Sequence, residues 1–191
     1  MSLDARQRIL DHAIRLFAHQ GYGSTSVREV AEAAGITKPT LYYHFGSKEG
    51  LFRAIVDDRM DGLLALVRAT VDGPGPVVER ITTFVDTYLR GAVQDQHTMR
   101  FMLTCGLPEA PGDPDHSVLG RHMRSIAPLT ELIRQGVERA ELCAELDPRI
   151  AVMALIGAAN LHLVVALEGE PLPDDIASRI VRTWLYGVAP P

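Results

Sequence analysis

Cysteine is scarce in this chain: Cys105 and Cys143 are the only two among 191 residues, so no disulfide framework holds it together. Lysine is confined to Lys38 and Lys48, and the formal net charge is -5, which excludes a uniformly basic nucleic-acid coat. Any contact with DNA must therefore come from a local patch. No segment alternates apolar and polar residues as a half-buried strand does, and repeats and low-complexity tracts are absent, so sheets and solenoids are excluded. Long apolar runs are nearly absent too. The exception is 151–167, interrupted by Asn160 and His162. A membrane span needs about 20 apolar residues and tolerates a central polar pair poorly. A helix apolar all round suits the middle of a bundle or a dimer interface instead. The first residues carry Asp4, Arg6 and Arg8 where a signal peptide would have an apolar core, so a cytoplasmic protein with no membrane partner is expected.

What is present is an ordinary globular composition, 47% hydrophobic and 23% charged, long enough for one core or for a small module fused to a larger one. Residues 1–60 hold eight basic against seven acidic side chains, and the remainder eleven against seventeen, so the acid is concentrated in the second part. Apolar spacing and stop signals predict about nine helices and an all-α fold. Ile9, Ala13, Leu16 and Phe17 mark a first helix over 4–20. Ser26 with Glu29 is a capping-box pattern opening a second, which ends at Gly35. Thr37 and Pro39 open a short third that stops near Gly46, and Ser47 opens a long fourth continuing to about Val67. Further helices are expected over 77–93, 97–105, 117–140 with a bend at Pro128, 148–167 and 174–188, and the Pro-rich stretch 107–115 is expected to be a loop.

The segment 26–52, SVREVAEAAGITKPTLYYHFGSKEGLF, carries most information. Val30, Ala31, Ala34, Ile36, Leu41 and Phe45 let two short helices cross closely with Gly35 at the turn, which is what a helix-turn-helix requires. Opposite Leu41 and Phe45, the second helix exposes Thr37, Lys38, Thr40, Tyr43 and His44, a set suited to a major groove. The run Gly35 to Phe45, followed by Ser47, Lys48, Glu49 and Leu51, closely resembles the TetR family of transcriptional regulators over about residues 5–55. That resemblance implies an N-terminal three-helix bundle with the helix-turn-helix over 1–47, and a helical ligand-binding and dimerisation domain over 48–191. It also implies a homodimer, double-stranded operator DNA with two-fold symmetry, and a small-molecule effector.

At the matching positions, side-chain chemistry suggests individual roles. Thr25 and Ser26 lie at a helix N-terminus, where a phosphate can be held or a plain cap formed. Thr37, Lys38 and Thr40 reach base edges or the flanking backbone, Pro39 offers a contact to a thymine methyl, Tyr42 and Tyr43 direct hydroxyls at phosphate, and His44 and Lys48 grip phosphates at the far end. In the second domain the large soft side chains Phe84, Tyr88, Met99, Phe101, Met102, Met123 and Ile126, with Asn160, are candidates for a ligand pocket, although such spacing also describes ordinary core. Met153, Ile156, Leu161, Val164, Ile180 and Trp184 are candidates for the dimer interface, a four-helix core made from the last two helices of each subunit. Asp113, Asp115, His116 and His122 match no metal-ligand spacing, so neither metal nor cofactor is expected. Without a nucleophile–base pair or a Gly-rich phosphate loop, an enzyme in a helical bundle is the remote alternative. A TetR-like activator, or a DNA binder without a ligand, is the nearer one.

Overall fold

A computed structural model describes residues 2–105 and 118–187, which form nine α-helices and no strand. They are α1 (Ser2–Gln20), α2 (Val27–Ala33), α3 (Lys38–Phe45), α4 (Lys48–Val71), α5 (Val77–Gln94), α6 (Gln96–Cys105), α7 (Val118–Glu138), α8 (Pro148–Leu167) and α9 (Ile176–Tyr186). The all-α architecture is as expected, and α7 runs through Pro128 as one helix. The expected loop over 107–115 lies within a stretch outside the described residues.

By packing, the chain divides into two compact units: Met1–Asp61 with Gln96–Arg121, and Gly62–Asp95 with His122–Pro191. This division differs from the one read along the chain at 47/48, because the first unit takes in α4 as far as Asp61 and also α6. Apolar side chains on α6 explain it. Phe101 is 1% exposed, its ring centroid 6.1 Å from that of Phe17 on α1 and 5.4 Å from that of Phe52 on α4. Met99 is buried as well. Burying one such side chain is worth roughly 1.5–3 kcal/mol, enough to fix which body a short helix belongs to. Ile9, Leu10, Ala13 and Phe17 of α1, Val30 and Ala31 of α2, Leu41 of α3 and Leu51 and Ile55 of α4 complete this core.

The second unit packs α5 against α8 and α9. Val77, Ile81, Phe84, Val85 and Leu89 are buried at i, i+4, i+7, i+8 and i+12, one helical face of α5. Asp147 caps α8, its carboxylate accepting from the Arg149 amide at 2.8 Å and the Ile150 amide at 3.1 Å, with Pro148 in the first turn where no donor is lost. Arg80 on α5 donates to the carbonyls of Thr70, at 2.9 Å, and Val71, satisfying acceptors that the end of α4 leaves open. By length and composition α8 is long and apolar enough to cross a membrane. Ala151, Val152, Leu155, Ile156, Ala159 and Leu163 are nonetheless buried within the protomer, and the Trp184 indole of α9 donates to the Ala151 carbonyl at 3.0 Å.

Candidate DNA interface

In the first unit, local chemistry sets α2 and α3 in place. The Ser26 hydroxyl accepts from the Glu29 amide at 3.2 Å and the Glu29 carboxylate accepts from the Ser26 amide at 2.7 Å, so the capping box is complete. These bonds from Ser26 hold the Glu29 carboxyl below its ordinary value. The chain leaves α2 through Gly35 at φ +65, a conformation in which a side chain would be strained, and the Ile36 amide returns to the Ala31 carbonyl at 2.9 Å. Thr37 then caps α3: its hydroxyl lies 3.4 Å from the Thr40 amide and 2.9 Å from the Thr40 hydroxyl.

Leu41 is fully buried and anchors α3, while Lys38 and Pro39 are exposed on the first turn and Tyr42 and Tyr43 are 47% and 86% exposed. Tyr43 packs edge-on against His44, ring centroids 5.5 Å apart. Thr40 and His44 are half-buried. The helix is closed by Gly46 and followed at once by Ser47, whose hydroxyl accepts from the Gly50 amide at 2.9 Å and starts α4. A Cβ on Gly50 would collide with the carbonyl oxygen of Phe45, so the end of α3 and the first turn of α4 touch backbone to backbone.

Two expected contacts change character. Thr25 is 1% exposed and its hydroxyl donates to the Gly21 carbonyl at 2.9 Å, closing the end of α1. It braces the loop before α2 and presents no surface to a partner. Lys48 is half-buried and anchored. Its ammonium stands 4.3 Å from the centroid of the Tyr22 ring and 3.4 Å from the Gly23 carbonyl oxygen. Tyr22 in turn packs against Phe17 and Phe52, and burial pushes its phenol above the ordinary value. The Arg6 guanidinium of α1 lies 5.9 Å from the centroid of Phe45, the last residue of α3. Neither Tyr22 nor Arg6 follows from the helix-turn-helix pattern, since both contacts join residues far apart in the chain. An aromatic directly after the helix stop Gly21 was the available hint for Tyr22.

The pocket candidates separate. Met99, Phe101 and Met102 belong to the first unit, Met99 and Phe101 being buried in its core. Phe84, Tyr88, Met123, Ile126 and Asn160 all belong to the second unit. Phe84 and Tyr88 stack at 5.9 Å, and the Tyr88 hydroxyl donates to the Asn160 side-chain carbonyl at 2.7 Å. Burial lifts the Tyr88 phenol to about 12 and lowers the His122 imidazole, so both are held neutral. Of the four residues weighed for metal, only His122 is within the described residues.

The interface candidates separate too. Ile156 and Ile180 are 5% and 6% exposed and fill the protomer's own core, and Trp184 is half-buried with its N–H committed to α8. Met153, Leu161 and Val164 remain outside, 53%, 64% and 41% exposed, alongside Ile150 at 66%. At i, i+3, i+11 and i+14 from Ile150, these residues form one apolar stripe on α8.

Residues 9–55 match the family described as bacterial regulatory proteins, tetR family. The chain is 47% identical over 185 residues to the HTH-type transcriptional repressor ComR of Escherichia coli K12, covering 94% of this chain and 88% of ComR. A transcriptional regulator of the TetR/AcrR family from Thermobifida fusca superposes with a TM-score of 0.71 at 28% identity, covering 98% of this chain and all of that one. FadR from Bacillus subtilis, solved in complex with stearoyl-CoA, superposes with a TM-score of 0.81 over 96% of this chain and 99% of its own, at 16% identity. Nearly full-length identity to ComR, together with a helix-turn-helix whose second helix presents its polar face outward, makes this chain a member of the tetR family, whose proteins regulate transcription by binding DNA and are not enzymes.

Proposed function

We propose that the protein is a homodimeric repressor that occupies a two-fold symmetric operator and releases it when a small molecule binds the second unit. The observation that carries this reading is α3: a helix anchored by a fully buried Leu41 yet leaving Lys38, Pro39, Tyr42 and Tyr43 exposed. Thr37 and Thr40 supply hydroxyls to its first turn, and Ser26, His44 and Lys48 flank it as phosphate contacts. A protein that works on operator DNA acts in the cytoplasm, where its target lies.

The apolar stripe Ile150, Met153, Leu161 and Val164 on α8 supports dimerisation, since water contact along it is relieved by a second copy of the same surface. In the DNA-competent dimer the two recognition helices stand about 34–36 Å apart, matching successive major grooves. The group Phe84, Tyr88 and Asn160, with Met123 and Ile126 of the same unit as further lining, suits an effector with an apolar body and a polar group that can replace the Tyr88–Asn160 bond. That effector binds the two dimer states unequally, because equal affinity shifts no population. Helix α4, part of which belongs to each unit, carries the change to the DNA-binding side.

The test is selection of a random double-stranded DNA library on the purified protein at moderate salt. Enrichment of a palindrome with half-sites about one helical turn apart supports the reading. Recovery of unrelated sequences with only salt-sensitive binding refutes it.

A further inference from the structure

Several cations in the first unit are held in one of two ways. Arg28 pairs with Glu32 and Arg53 with Glu49, each at 2.6 Å, Arg59 lies 3.5 Å from Asp11, and Arg121 pairs with Asp57. Arg6 and Lys48 form no ion pair with a carboxylate among the described residues, and of the two only Lys48 acts on one at longer range, helping to hold the Glu29 carboxyl low. Each rests instead on an aromatic face, Arg6 over Phe45 at 5.9 Å and Lys48 over Tyr22 at 4.3 Å. The distinction matters for binding an anion. A carboxylate fixes a cation by cancelling its charge, whereas a ring holds it through its quadrupole and leaves the full unit charge to act outward. The two cations also flank one place. Phe45 is the last residue of α3 and Lys48 the first of α4, at the corner where the two helices touch backbone to backbone.

We propose that Arg6 is a second phosphate contact beside Lys48 at the α3–α4 corner, and that Phe45 and Tyr22 are positioning residues that preorient these two cations without neutralising them. The assignment rests on the reading of the chain as an operator-binding dimer. The ring beneath Lys48 reduces the rotamer freedom that a long side chain gives up on gripping phosphate, and the Gly23 carbonyl, at 3.4 Å, adds a second restraint.

The experiment uses the full chain and a fluorescently labelled duplex carrying the selected palindrome, with affinity measured by anisotropy from low to moderate salt. In the plot of log affinity against log salt, Arg6→Gln reduces the slope by about 0.9 for each phosphate no longer neutralised, and so by about twice that for a dimer changed in both protomers. The weakening is equal on specific and scrambled duplexes, and Arg6→Lys restores binding. Tyr22→Leu weakens binding while Tyr22→Phe, which keeps the face, does not. Combined with Lys48→Gln, Tyr22→Leu adds nothing further, as expected when one residue acts through the other. An unchanged slope in Arg6→Gln overturns the role of Arg6. Additive losses from Tyr22→Leu and Lys48→Gln, or equal damage from Tyr22→Phe, overturn the role of Tyr22. Thermal melts of each variant identify any that lose binding by unfolding, and the Arg6→Gln and Tyr22→Phe arms decide the matter if Tyr22→Leu does not fold. Wild-type protein that binds the palindrome while these variants behave like it refutes this proposal alone, whereas wild-type protein that selects no sequence refutes the operator reading beneath it.

Discussion

Helices α3 and α8 both leave large side chains in water, but of opposite chemistry. On α3 the exposed groups are a lysine, a proline and two tyrosines, each able to offer charge, a donor or a flat edge to a base or phosphate. On α8 they are Ile150, Met153, Leu161, Val164 and Val165, which offer nothing but area. A polar rim on a short helix suits a partner that is itself charged and patterned, whereas an apolar stripe on a long helix suits a surface equally averse to water. The same chain thus carries two exposed faces of opposite chemistry, one polar and one apolar.

The comparison breaks most visibly at α8. Leu161→Glu places a charge in the stripe and should convert the dimer to monomer by light scattering. Loss of the linked second half-site should weaken operator binding by about 10²–10⁴-fold, although α3 is untouched. A monomeric Leu161→Glu protein that retains full affinity would show that α8 is not the coupling surface.

A smaller effect is expected inside the second unit. Tyr88→Phe removes the donor to Asn160 and leaves a half-buried amide oxygen without that partner, a cost of about 1 kcal/mol by chemical denaturation. The pH dependence has a defined sign. Because the Tyr88 phenol is raised to about 12 in the folded protein, its contribution is complete below the ordinary value of 10.0 and is lost as pH rises toward 12. The alkaline loss of stability should shrink in Tyr88→Phe, and an identical alkaline profile would exclude Tyr88 as its source.

An effect of similar size sharpens the α3 side. Ser26→Ala removes the cap of α2 and should cost about 1 kcal/mol. Glu29 sits below its ordinary value of 4.5, so its part of the box is present above that value and fades as pH falls through and below it. Melts of wild type and Ser26→Ala should therefore converge as the solution is acidified, and a constant gap would assign the cost to the hydroxyl alone.

What was legible in the sequence was what is decided locally. Ser26 with Glu29, Thr37, Gly35 and Gly46 act on backbone groups within a few residues, so caps and turns, and with them the bounds of α2 and α3, follow from neighbours along the chain. The partner of an apolar face does not follow in that way. The spacing of Met99 and Phe101 announces a buried face on α6 but not that the face meets Phe17 and Phe52, hence their expected place in a pocket and their observed place in the first core. Ile156 and Ile180 show the same gap, since apolar periodicity cannot distinguish the inside of a protomer from the seam between two. Thr25 shows it for polar groups. A hydroxyl before a helix serves a phosphate or a carbonyl equally well until the end of α1 is placed beside it.

Two glycines in α4 hold very different latitude for change. Gly62 meets no atom within 4 Å of where a side chain would begin, so drift at that position is free to explore size and charge, and most replacements gain helix propensity. Gly50 meets the carbonyl of Phe45, a backbone atom that cannot swing aside as the end of a side chain can. A lineage that diversifies the exposed face of α3 can therefore rewrite Lys38, Pro39 or Tyr43, while the corner that aims them stays closed to every residue with a side chain.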